Sequence, residues 1–307
     1  MQILGYGRAD FDLQVSDERH IWYPSADGLK LFARDHGPVH GGAMPVVCLP
    51  GLTRNSLDFE TIAPRLSATR RVLCPDFRGR GRSAHADPAT YRPDIEMADT
   101  LAVMDAAGVA RAAVIGTSRG GIVAMFMGLK ALDRLAGVCF NDIGPRISKA
   151  GLLRIRTYLG SGATFANWSD AVKAVKATNP GCDGLSGEQW LAFARRLLRE
   201  HGGYLRADYD QRLGEGFPSV EDIEAGKVSE LWELFDKLST LPALVIRGTA
   251  SDLLDEATVS EMLAHHPGLA VARVPNRGHV PFLDEPEATA AIENWLFSVD
   301  ANEKGRT

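Results

Sequence analysis

Short apolar runs alternate with amphipathic stretches along the first half of the chain. PVVCLPG (Pro45 to Gly51), RVLCPDFRGRG (Arg71 to Gly81), AAVIG (Ala112 to Gly116) and LAGVCFND (Leu135 to Asp142) read as strands, and all but the second are apolar almost throughout. Continuously apolar strands suit a parallel sheet covered on both faces, unlike the in-out alternation of a half-solvated sheet. Between them, DIEMADTLAVMDAAG (Asp94 to Gly108) has apolar residues at helical spacing and ends in a C-capping Gly, and GGIVAMFMGLKAL (Gly120 to Leu132) reads as a second helix. HIWYPSADGLKLFARDHG (His20 to Gly37) reads as a hairpin turning at Ala26-Asp27-Gly28, since Asp-Gly supplies the positive φ of a tight turn. Strand, helix, strand, helix predicts an α/β fold with right-handed crossovers.

The rhythm stops after Pro145 and resumes at Leu241. The intervening segment shows no buried strand and has helical patterns such as EQWLAFARRLLREH (Glu188 to His201), so it reads as a helical insertion. After it come a strand (LPALVIRG), a helix opened by Asp255 as its cap, a strand (LAVARVP) and a terminal helix from Asp284, with fraying expected from about Asn302. The expected organisation is a sheet domain from residues 1–144 and 239–307, with a helical cap of residues 145–238 inserted after the sixth strand.

Composition narrows the class. At 307 residues the chain is long enough for a single large α/β core, and 45% apolar with 24% charged residues is ordinary for a globular protein. A net charge of -5 and scattered arginines give no polyanion-binding stripe, so nucleic acid is not an expected partner. Cys48, Cys74, Cys139 and Cys182 form no CxxC pair or metal spacing and read as buried thiols of a reducing compartment. The N-terminal MQILGYGRADFDLQV lacks a basic region followed by an apolar one, and no window approaches a membrane span. A cytoplasmic protein that acts on a small molecule is expected, without metal or organic cofactor and without membrane contact; a homodimer is left open.

The candidate chemistry lies in RAAVIGTSRGGIVAMF, Arg111 to Phe126. Gly116-Thr117-Ser118-Arg119-Gly120 matches G-x-S-x-G between a strand and a helix, where a sharp turn needs small residues on either side of a serine held in a strained backbone. A hydroxyl needs a base to become a nucleophile, and the base needs an orienting acid. His279, in the loop PNRGHVPF after the last strand, is the candidate base; His36, His40, His265 and His266 read as surface or helix-end residues. Two acids are candidates. Asp252 follows the strand ALVIRG and is preferred; Asp142, after the preceding sheet strand, is the alternative. The arginine-rich DFRGRGRS (Asp76 to Ser83) reads as a turn-rich loop with structural ion pairs.

GTSRGG, DFRGRGRS, the strand-ending LPG, RGTASD and the late RGH, in this order, resemble the α/β-hydrolase fold superfamily over nearly the whole chain. The resemblance implies Ser118 as nucleophile, His279 as base and Asp252 as acid, with the backbone N–H groups of Leu52 and Arg119 as oxyanion donors. Many relatives carry His-Gly after the third strand where this chain has Pro50-Gly51. Arg54, Asn55, Trp168 and Trp190 are candidate substrate contacts. Expected activities are hydrolysis of a carboxylic ester or lactone first, carbon–carbon bond hydrolysis of a ring-cleavage diketone second, and a catalytically silent small-molecule receptor third. A serine at position 118 argues against the dehalogenase and epoxide-hydrolase chemistries of aspartate nucleophiles. The absence of G-x-G-x-x-G after the first parallel strand argues against a dinucleotide-binding dehydrogenase.

Overall fold

The computed structural model describes residues 18–306; the N-terminal stretch read above for a leader lies outside the described residues. The chain opens with the expected hairpin of β1 (Arg19–Pro24) and β2 (Lys30–His36), turned by Gly28 at φ +79°. There follow β3 (Val46–Leu49), α1 (Ile62–Ser67), β4 (Val72–Asp76), α2 (Pro93–Ala106), β5 (Ala112–Thr117), α3 (Arg119–Lys130) and β6 (Leu135–Asn141). An inserted segment then carries α4 (Lys149–Tyr158), β7 (Thr164–Phe165), α5 (Trp168–Thr178), α6 (Gly187–Leu197), β8 (Leu198–His201), β9 (Tyr204–Ala207), α7 (Val220–Glu224) and α8 (Trp232–Asp236). The chain returns to the sheet with β10 (Ala243–Gly248), α9 (Glu256–His265), β11 (Leu269–Val274) and α10 (Pro286–Lys304).

These strands make one eight-stranded sheet in the order β1-β2-β4-β3-β5-β6-β10-β11, in which β2 alone runs against the rest. The fold is the α/β-hydrolase fold, a mostly parallel sheet between helices. Every residue of β3 to β6 and of β10 is buried, which accounts for their unbroken apolar character. Alternate residues feed two cores. Val46, Cys48, Ile115 and Ile246 pack under Ile62 of α1 and Trp295 of α10, while Val47, Val114 and Phe140 pack under Met104 of α2 and Val123 of α3.

The strand order reverses at β3, whose two neighbours β4 and β5 lie on opposite sides of it. At such a reversal the loops leaving the two strands part, and a crevice opens at their carboxyl ends. Gly51-Leu52 leaves β3 there and Ser118 leaves β5 there.

The elements depart from the sequence reading in four places. The insert is not wholly helical: β7, β9 and β8 form a small antiparallel sheet. The pattern read as one helix over Glu188 to His201 ends at Leu197, and Gly202-Gly203, both at positive φ, turns β8 back into β9. Gly-Gly is a two-residue hairpin signal, but β8 has only one apolar residue and so shows no strand periodicity. The short α1 was not expected. The terminal helix continues to Lys304, held by Asp300 on Arg70 at 3.0 Å and Glu303 on Arg111 at 3.1 Å. Among the described residues no helix is long and apolar enough to cross a membrane.

Candidate active site

Ser118 sits between β5 and α3 at φ 49°, ψ -111°, a conformation that side chains rarely adopt. The glycines around it make this turn possible. A Cβ on Gly116 would lie 2.5 Å from the Gly121 nitrogen, and one on Gly120 would overlap the Leu49 carbonyl oxygen of β3. The serine Oγ lies 3.0 Å from His279 Nε2. The loop bearing His279 is braced by Glu285, which accepts from the Phe282 and Leu283 amides at 3.0 Å each and from Arg277 Nε at 2.7 Å. Asn141 ties this loop to the sheet, donating to Pro281 O at 3.0 Å and to Thr117 Oγ1 at 3.1 Å.

The acid facing His279 is Asp142, which corrects the preference for Asp252. Asp142 Oδ2 lies 2.8 Å from His279 Nδ1. Its carboxyl is fully buried, and it also accepts from Gly248 N–H on Oδ1 (2.9 Å) and from the Ser251 hydroxyl on Oδ2 (2.6 Å). The backbone at Asp142 takes φ 55°, which turns the side chain from the end of β6 toward β10 and the histidine loop. Asp252 is occupied elsewhere. Arg154 of α4 grips it through Nε (2.5 Å) and Nη2 (2.8 Å) and donates to Thr178 O at 3.0 Å. Burial raises the Asp252 pKa, but the Arg154 hydrogen bonds and charge outweigh it and hold the carboxyl below the usual range. Asp252 therefore fastens the insert to the loop after β10.

A cavity of about 240 Å³ opens over this line of groups. Leu52, Ser118 and His279 lie on its floor, and the insert supplies walls such as Tyr158, Phe165, Val175, Leu197 and Tyr209. The carboxyl ends of β3 and β5 meet closely: a Cβ on Gly51 would lie 3.9 Å from Ser118 Cβ. Arg119, as the first residue of α3, offers one of the backbone N–H groups that a helix leaves unpaired within itself. Behind the floor, buried Arg80 donates from Nε to Leu52 O at 2.9 Å and pairs with buried Glu96 at 2.8 Å, and Glu96 also accepts from Arg119 Nε at 2.6 Å. One carboxylate thus braces both residues expected to supply oxyanion donors. The rest of DFRGRGRS is structural as expected, with Arg78 chelated by Asp99 and Asp27. Among the described residues, no group of three or more His, Cys, Asp or Glu is arranged to hold a metal ion.

A sequence profile of the Alpha/beta hydrolase family matches residues 46–292. The chain belongs to the alpha/beta hydrolase family. This hydrolase is 32% identical over 262 residues to a 3-hydroxybutyrate-oligomer hydrolase of Cupriavidus necator, covering 82% of this chain and 88% of that one. It is 26% identical to a 2-(acetamidomethylene)succinate hydrolase of Mesorhizobium japonicum, with 80% and 85% covered. Among solved structures, an alpha/beta hydrolase from Novosphingobium aromaticivorans superposes with a TM-score of 0.84 at 38% identity, covering 92% of this chain and 99% of that one.

Of the candidate substrate contacts, the hydrolase places only Arg54 on the cavity. Asn55 is buried; its Oδ1 caps the turn at Leu57 N and its amide donates to Asp208 at 3.1 Å. Trp190 packs inside the insert with Val175 and Phe193, and Trp168 lies against the same cluster under Arg195. Neither indole faces the cavity, because the insert needs its large apolar side chains for its own small core. The Arg119 side chain points to Glu96 and Tyr91 O, leaving only its amide near Ser118. Arg154 and Glu96 were not singled out from the sequence, where each is one more charged residue in a helix.

Proposed function

We propose that this hydrolase cleaves a carboxylic ester of a small, largely apolar substrate by nucleophilic catalysis at Ser118. The observation that carries the reading is the unbroken hydrogen-bonded line from Ser118 Oγ through His279 to Asp142. In the proposed reaction His279 Nε2 takes the serine proton as Oγ attacks the ester carbonyl carbon. Asp142 accepts from Nδ1–H, fixes the tautomer and stabilises the imidazolium. The Leu52 and Arg119 amides receive the developing oxyanion, and each such donor is worth about 3 kcal/mol in the transition state. His279 then gives its proton to the departing alcohol, and a water activated by the same nitrogen releases the acyl group from Ser118.

Residues 145–238 act in this reading as a cap that closes the cavity and sets its size. A volume of about 240 Å³ favours a short acyl or alcohol part over a long lipid. The relative named for hydrolysing 3-hydroxybutyrate oligomers supports an ester substrate, since hydroxy-acid units join through ester bonds. The four cysteines are free and buried, which supports a reducing, cytoplasmic setting.

The test is labelling by a serine-directed fluorophosphonate together with hydrolysis of 4-nitrophenyl butanoate. Both should occur in the wild type and vanish in Ser118→Ala. An unlabelled Ser118 would favour a silent receptor, and turnover of vinylogous diketones without ester turnover would move the chemistry to carbon–carbon cleavage.

A further inference from the structure

Arg54 is the one Lys, Arg, Asp or Glu among the residues lining the cavity over Ser118. We propose that its guanidinium is a carboxylate subsite, so that the esters cleaved at Ser118 carry a free acid group a few bonds from the scissile carbonyl. The inference rests on the ester-hydrolase reading and adds the chemical class of the substrate.

Arg54 is positioned rather than swinging in solvent. Its side chain is 11% exposed, and its guanidinium lies over the Phe193 ring at 4.6 Å. This contact with the ring helps hold the guanidinium in place without supplying an oxygen acceptor for its five N–H donors. Nη1 donates to Asp58 Oδ1 at 3.1 Å. Among the described residues no acceptor takes the Nε–H or Nη2 protons. The arginine is therefore half-used, with a fork of donors left for a planar anion.

The counter-ion does not cancel this capacity. Asp58 grips one nitrogen only, from the turn Ser56–Phe59 behind Arg54, whereas a substrate carboxylate can take two parallel bonds. Burial pushes the Asp58 carboxyl up, against the lowering effects of Arg54 and Arg196, so its charge is held at a cost. Arg196, the other cation beside Asp58, is already paired with Glu60 at 2.7 Å.

Position sets the reach. A Cβ on Gly51 would lie 3.0 Å from Arg54 Cγ and 3.9 Å from Ser118 Cβ. Arg54 and the nucleophile thus flank the same glycine, next to the Leu52 amide. A carboxylate bound there places the ester over Ser118 only when a short spacer joins the two groups. The remaining walls add neutral hydroxyl and amide groups such as Ser161, Asn179 and Gln211, but no second Lys or Arg that would compete for an anion.

The experiment compares 3-(butanoyloxy)butanoate with its neutral, near-isosteric amide, 3-(butanoyloxy)butanamide. The readout is the acid-to-amide ratio of kcat/KM in wild type, Arg54→Gln, Arg54→Lys and Asp58→Asn, so that general losses of activity cancel. The ratio should fall about tenfold in Arg54→Gln, carried mainly by KM, recover in part in Arg54→Lys, and rise in Asp58→Asn, which removes the negative charge beside the guanidinium. Equal ratios in wild type and Arg54→Gln would overturn the subsite. Binding is read independently of turnover by calorimetry of 3-(butanoyloxy)butanoate on Ser118→Ala with and without Arg54→Gln. A Kd raised about tenfold by the second change supports the subsite, and an unchanged Kd overturns it. If the wild type cleaves neither compound and resists the fluorophosphonate, the hydrolase reading fails while the calorimetry still decides Arg54.

Discussion

Replacing Asp142 with asparagine tests the acid through the direction of one proton. The carboxyl has two oxygens with different duties: Oδ1 accepts from Gly248 N–H, and Oδ2 accepts from Ser251 Oγ–H and faces His279 Nδ1. A backbone N–H cannot accept, so the amide oxygen of Asp142→Asn must stay on Gly248 and the NH₂ must take the place of Oδ2. The Ser251 hydroxyl can rotate and accept from it. His279 cannot rotate its proton: an NH₂ opposite Nδ1 requires that nitrogen bare, which puts the ring proton on Nε2, aimed at Ser118. The base is then capped by its own hydrogen. The same carboxylate-to-amide change in a serine-protease triad costs about 10⁴ in kcat, or about 5 kcal/mol at 1.36 kcal/mol per decade. The shape is unchanged and all three contacts keep a partner, so folding should survive. The assay is kcat for 4-nitrophenyl butanoate at saturation, with melting temperature and circular dichroism as controls. Asp252→Asn serves as the comparison and should cost less than about tenfold, since the Asp252 carboxylate is bonded to Arg154 and reaches His279 through its charge alone. If Asp142→Asn keeps more than about a tenth of kcat while Asp252→Asn loses about a thousandfold, the assignment is reversed.

Asp252→Asn carries a second expectation, in pH. The folded pKa is depressed, so the carboxylate stabilises the fold above its unfolded pKa, and that gain is lost as pH falls through the folded value. Wild type should exceed the variant by about 1–2 kcal/mol near neutrality, with the gap closing in acid; urea melts across pH would show it, and a gap that widens in acid would contradict the pairing. Glu96→Gln should lower stability by about 3 kcal/mol, because it leaves the buried Arg80 unpaired, and should also slow turnover through the Leu52 carbonyl that Arg80 holds. A variant with unchanged melting temperature and kcat would remove Glu96 from the site's support. Gly120→Ala should cost about 3 kcal/mol or abolish soluble expression, since its Cβ would overlap the Leu49 carbonyl of a central strand; a well-folded variant with full activity would mean that the elbow is looser than described. Ser118→Ala should keep the wild-type far-ultraviolet circular dichroism while losing all fluorophosphonate labelling, and residual labelling would point to a different nucleophile.

The tight turn that carries Ser118 was legible because its constraints are local. An elbow needs glycine at fixed offsets from the nucleophile, and Gly116 and Gly120 meet Gly121 and Leu49 within one turn of chain. The sheet was legible because buried parallel strands have no polar face to disguise them. Which carboxyl faces His279 was not, because what decides it is non-local. Asp142 and Asp252 both follow sheet strands, β6 and β10, that are neighbours, and both give the chain order serine, acid, histidine. The choice is made by a positive φ at Asp142, by the Gly248 amide and Ser251 hydroxyl waiting across the sheet, and by an arginine 98 residues away that claims Asp252 for the insert. The tryptophans misled for a related reason. A small insert must build its own apolar cluster, so Trp168 and Trp190 turn inward, and the cavity is walled instead by residues such as Tyr158, Phe165, Val175, Leu197 and Tyr209. Beyond Arg54 this wall carries no Lys, Arg, Asp or Glu. That gives the single half-used guanidinium beside the nucleophile a disproportionate part in choosing what enters, and makes charge, more than bulk, the property of the substrate worth varying first.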